Sequence, residues 1–99
     1  MSERGVWAEK RAEILASPEA REAYEAARVA FELGAAVRNR RRELGLSQAR
    51  LAERAGMQQP AVARLEAGGT VPSIPVLERI AAALDMKVNI GFQPLEETG

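Results

Sequence analysis

The sequence predicts an all-α domain with one strand at its end. Three observations carry this: Ala, Glu and Arg dominate the composition, aromatic residues make up only 4% of it, and Val and Ile stay sparse until the C-terminus. At 99 residues the chain is expected to be one small domain with a modest core.

The elements follow in order. Trp7, Arg11, Ile14 and Leu15 fall at i, i+4, i+7 and i+8 and suggest a short amphipathic turn. Ser17 before Pro18, with Glu19 and Glu22 following, is a strong helix start. That helix is able to run to Leu44, with Gly34 as the expected place for a kink or break. Gly45 ends it, and Ser47 caps a short helix from Gln48 to Ala55. Gly56 turns the chain, and Gln58 or Gln59 opens a helix that closes at Gly68 and Gly69. Ser73 caps a helix to about Leu84, with Leu77, Ile80, Ala81 and Leu84 on one face. The period then changes. Met86, Val88, Ile90 and Phe92 alternate with Lys87, Asn89, Gly91 and Gln93, which predicts a half-buried strand stopped by Pro94.

Composition narrows function. The chain has neither Cys nor His, so a thiol nucleophile, a Cys-ligated metal, an imidazole metal ligand and the commonest general base are all missing. An enzyme is not expected, nor is a cofactor or metal. The paired carboxylates Glu19 and Glu22 read as a solvated helix start. The N-terminus has no apolar stretch of signal-peptide length and no run approaches a membrane span, so a soluble, cytoplasmic and nucleoid-associated protein is expected, with no membrane partner.

Fourteen basic and fourteen acidic residues cancel, but not locally. Residues 1–36 carry five basic and seven acidic groups, net −2; residues 69–99 carry two and four, also −2. Residues 37–68 carry seven arginines against three glutamates, net +4. Arginine suits phosphate oxygens and guanine edges.

The motif is LSQARLAERAGMQQPAVARLEAG, residues 46–68. Two helices joined by a tight turn cross steeply when the crossing residues are small, and Ala52 and Gly56 meet that need; Leu51, Ala55, Val62 and Leu65 bury the inner faces. This spacing of Gln48, Ala52, Gly56, Val62 and Leu65 resembles the helix-turn-helix of the lambdoid phage repressors and the wider XRE family of bacterial regulators, over about residues 33–84. The resemblance implies a lambda-repressor-like bundle whose second motif helix lies in the major groove. Base contacts then fall to Gln58, Gln59, Pro60, Ala63 and Arg64. Pro60 stands where relatives often carry a polar reading residue. Phosphate contacts are expected from Ser47 and Gln48 at a helix start, with Arg38, Arg40, Arg42 and Arg50 adding to them. The loop GGTVPS has no basic residue, where relatives often place one.

Arg41 lies four residues after Val37 and three before Leu44, so it points to the core and requires an acid. Glu66, four residues after Val62, is the best candidate, and the XRE resemblance places an Arg–Glu ion pair at the same two positions.

The expected layout is therefore an N-terminal helical extension over 1–32, the helix-turn-helix domain over 33–85, a strand over 86–94 and a tail over 95–99. A lone strand usually pairs, and the simplest partner is the same strand of a second copy, giving a homodimer through Met86, Val88, Ile90 and Phe92 that reads an inverted-repeat operator in double-stranded DNA. The acidic N-terminal arm reads either as a support helix or as a partner surface. The layout resembles HigA-type antitoxins, which implies a basic RelE/HigB-like toxin as partner, with Trp7, Ile14, Leu15 and Tyr24 as contacts. Two alternatives stay open: a stand-alone XRE regulator, and an interaction module whose motif does not read DNA.

Overall fold

The structure, a computed structural model, describes residues 17–95. Four helices follow one another: α1 (Pro18–Glu43), α2 (Gln48–Ala55), α3 (Gln59–Glu66) and α4 (Ile74–Ala83). Trp7, Ile14 and Leu15 lie outside the described residues. None of the helices described is long and apolar enough to cross a membrane.

Local signals set the helix starts. The Ser17 hydroxyl accepts from the Ala20 N–H at 2.9 Å, and that of Ser47 from the Arg50 N–H at 3.0 Å. Ser73 accepts from the Val76 N–H at 3.4 Å. Gln58 occupies the N-cap of α3 without a side-chain cap bond. The helix ends share one device. After α1, the N–H of Gly45 donates to Arg42 and that of Leu46 to Arg41, the paired bonds of a Schellman motif. The same pair recurs after α2, α3 and α4. The turn between α2 and α3 needs φ of 68° at Gly56, the left-handed region that glycine enters without steric cost.

Helix α1 runs unbroken for 26 residues, and Gly34 does not interrupt it. Gly34 lies on the stripe Ala30, Gly34, Val37, the buried residues of this helix. A Cβ on Gly34 would meet the carbonyl oxygens of Leu65 and Glu66, the latter at 2.7 Å. The position is glycine because the backbones of α1 and α3 pass in direct contact there, and tertiary packing overrides the weak local tendency to break.

The core gathers Val37 from α1, Leu51, Ala52 and Ala55 from α2, Val62 and Leu65 from α3, and Ile80, Ala83 and Leu84 from the end of α4. Leu51, Leu65, Ile80 and Val62 are its largest fully buried side chains. Residues 18–29 of α1 contribute nothing fully buried, so this half of the helix projects from the bundle. Arg28 there bridges Glu25 and Glu32 on the exposed face, and Tyr24 is half-buried.

The expected C-terminal strand is not formed. No strand occurs among the described residues, and residues 87–95 make no backbone hydrogen bond there. The reason is physical: strand N–H and C=O groups need a ladder partner, and the described residues of a single copy offer none. Met86, Ile90 and Phe92 are exposed, and Val88 is half-buried.

Candidate nucleic-acid interface

The motif helices α2 and α3 pack through Leu51, Ala52 and Ala55 against Val62 and Leu65. Burying Val62, Leu65 and Glu66 fixes which side of α3 faces outward. Gln58, Gln59, Pro60 and Arg64 are exposed on that outer side, and Ala63 is half-buried. Pro60 lies in the first turn, where a missing N–H leaves no helical bond unmade.

The orientation of α3 is fixed at its far end by a charged cluster. Arg41 donates through Nε to Glu66 Oε2 at 2.6 Å and through Nη2 to Oε1 at 2.9 Å, a two-pronged pairing. Its Nη1 donates to the Leu46 carbonyl at 2.9 Å. Side chains of Arg41 and Glu66 are only 12% and 4% exposed, so the pair lies out of water. Gln48 Nε2 adds a third donor to the carboxylate, on Oε1 at 3.0 Å. One cluster thus ties α1, the start of α2 and the end of α3 together.

Burial pushes the Glu66 carboxyl up, but hydrogen bonds from Arg41 and Gln48 and the charges of Arg41 and Arg38 outweigh it, and its pKa ends below the ordinary glutamate value of 4.5. Arg41 is held above its ordinary value, chiefly by the hydrogen bond to Glu66. A lowered Glu66 pKa means that the unfolded state binds the proton more readily. The stabilisation is therefore complete above the unfolded value and is lost as pH falls through the folded one. Melting curves of the wild type and Glu66→Gln, taken from neutral pH into the acid range, are expected to differ most near neutrality and to converge as pH falls below the ordinary glutamate range. Parallel curves across that range would show that Glu66 is not the titrating group.

The phosphate-contact arginines divide. Arg38 lies on the Glu66 side of α1, and Arg42, one turn on, is exposed. Arg40 is turned elsewhere: its Nε donates to the Leu84 carbonyl at 3.1 Å and its Nη1 pairs with Glu43 at 3.2 Å. Arg50 pairs with Glu53 on the surface at 2.7 Å. Ser47 is exposed and Gln48 half-buried at the start of α2.

Two tertiary roles escape sequence reasoning. Arg54 donates to the Ala83 carbonyl at 2.9 Å, so with Arg40 it caps the end of α4, which has no basic residue in its own last turn. Gln48 serves the Arg41–Glu66 pair as well as standing at a helix start. Reading Ala30, Gly34, Val37 and Arg41 as one stripe would have placed Gly34 at an interface.

A family model described as a helix-turn-helix domain matches residues 32–89. The chain belongs to the helix-turn-helix domain family. An uncharacterized HTH-type transcriptional regulator of Methanothermobacter thermautotrophicus is 46% identical over 48 residues, 48% of this chain and 70% of that protein. The crystal structure of the clp gene regulator ClgR from Corynebacterium glutamicum is similar at a TM-score of 0.57 and 29% identity, over 59% of this chain and 62% of that one. The helix-turn-helix match leaves out residues 18–31 of α1, and with them its projecting half.

Proposed function

We propose that this helix-turn-helix protein is a sequence-specific DNA-binding transcriptional repressor, acting as a homodimer on an inverted-repeat operator. The observation that carries the reading is the division of α3. Its inner residues are locked by the core and by Arg41, while Gln58, Gln59, Pro60 and Arg64 stand exposed at its start and along its outer side. A helix held this way presents its first turn to base edges in the major groove. Gln58 and Gln59 suit adenine, Arg64 suits guanine, and the Pro60 ring and Ala63 suit a thymine methyl. Ser47, Gln48, Arg38, Arg42 and Arg50 hold the phosphates on either side. Residues 86–94 pair with the same segment of a second copy, which sets the two α3 helices on a common axis.

Footprinting on DNA upstream of the gene tests this. Gln59→Ala and Arg64→Ala are each expected to weaken operator binding by roughly 5- to 150-fold, equivalent to about 1–3 kcal/mol, with the fold unchanged. Absence of a protected inverted repeat at low salt would leave the interaction-module reading in its place.

The repressor is further proposed to be the antitoxin of a type II toxin–antitoxin module, repressing its own operon, with a RelE/HigB-like toxin as partner. The support is the projecting half of α1, which carries Glu19, Glu22 and Glu25 against Arg21 and Arg28, lies outside the helix-turn-helix match and has the sign to meet a basic protein. Tyr24 on this half is the described contact candidate. Co-purification with the product of the neighbouring gene decides between this and a stand-alone regulator, the reading favoured by the regulator names of the two relatives.

A further inference from the structure

An apolar groove of about 370 Å³ runs between the second half of α1 and α4. Leu33, Val37, Leu77 and Leu84 line it, together with Met86 and Val88 of the segment that leaves α4. That segment carries more apolar surface than its own groove takes up. Met86, Ile90 and Phe92 are 53%, 60% and 103% exposed. Its backbone is unpaired over 87–95 among the described residues.

The order of these side chains is self-complementary. In an extended chain Met86, Val88, Ile90 and Phe92 project to one face. Two such segments running antiparallel with Asn89 opposite Asn89 place Met86 against Phe92 and Val88 against Ile90, so that eight apolar side chains share a face. A slip of one residue sends one copy's set to the wrong face. A slip of two leaves Met86 or Phe92 without an apolar partner. In the Asn89 register Lys87 meets Gly91, so no like charges oppose. Pro94, which lacks an N–H, falls beyond the paired residues.

We infer that the groove is covered by a second copy of this chain, paired antiparallel about Asn89, with the partner's Ile90 and the partner's Phe92 lying over it beside Met86 and Val88. The inference rests on the homodimer proposed above and supplies its register and its seat. The groove and the exposed run are continuous in the same chain, and the self-complementary order suits the isologous contact of a two-fold dimer.

The full chain has no cysteine, so single thiols report the register. Directly opposed residues in an antiparallel pair lie about 4.5–5.5 Å apart at Cα, within disulfide reach. Under mild oxidation Asn89→Cys is expected to form a covalent dimer in high yield. Lys87→Cys and Gly91→Cys are expected to cross-link with each other when mixed and far less when alone. Light scattering should find the wild type dimeric and Phe92→Asp monomeric, with dimer dissociation strengthened at least tenfold. Phe92 is fully exposed in the single copy, so the variant should keep its helical circular dichroism. A monomeric wild type, a dimer unaffected by Phe92→Asp, or cross-linking that favours other positions over Asn89 overturns the inference. Failure of the repressor reading looks different: an Asn89 cross-link without an operator footprint supports this interface while removing DNA recognition.

Discussion

Replacing Glu66 with Ala is expected to destabilise the domain by about 3–5 kcal/mol, the range for removing one member of a buried ion pair. The Arg41 side chain, only 12% exposed with the pair intact, would have three of its donors arranged for acceptors of which two had vanished. Gln48 would lose its acceptor as well. For a domain of this size each kcal/mol shifts the melting temperature by about 4–8 °C, so the loss should exceed roughly 12 °C. The paired variant Arg41→Leu with Glu66→Leu should lose less, because a buried pair replaced by apolar groups leaves no stranded charge. It should still weaken operator binding, since the contact orienting α3 is gone. Thermal melts and operator titrations of the three proteins check both statements. A Glu66→Ala protein melting with the wild type would remove the pair from any structural role.

Gly34→Ala is expected to destabilise by about 1–3 kcal/mol, the usual cost of overpacking a close contact. Helix propensity alone points the other way, since Ala in place of Gly within a helix stabilises by roughly 1 kcal/mol. The steric effect decides the sign. The new Cβ would lie against Leu65 and Glu66 carbonyl oxygens, and backbone cannot rotate aside as a long side chain can. Relief requires the end of α3 to move away from α1, which also stretches the Arg41–Glu66 pair. Denaturant midpoints of the wild type and variant measure the effect, and a midpoint that rises would show that α1 and α3 do not approach this closely.

Features encoded within a few residues were legible in the sequence. Ser17, Ser47 and Ser73 cap the helices they were expected to cap, and Gly56 makes the turn at the centre of the motif. Periodicity also sufficed for Arg41 and Glu66, because each sits on an otherwise apolar face and a buried charge demands a partner. What escaped depends on distant backbone. Gly34 looks like a breaker until α3 is laid against it. The use of Arg40 and Arg54 as caps depends on where α4 ends in space, and their long side chains could have reached several places. The strand expected over 86–94 is not formed among the described residues, because alternation of side chains supplies no ladder partner for the backbone.

The arrangement of the arginines has a thermodynamic consequence. Of the seven in the basic middle, Arg41 is committed to Glu66, Arg40 to Glu43 and Leu84, and Arg54 to the Ala83 carbonyl, while Arg50 pairs with Glu53 only on the open surface. Arg38, Arg42 and Arg64 make no ion pair among the described residues. Only cations that neutralise phosphates displace counterions from DNA, and the steepness with which binding falls as salt rises counts them. A protein built this way would hold its operator with a shallower salt dependence than seven arginines suggest, and with more of its selectivity vested in the fit of α3.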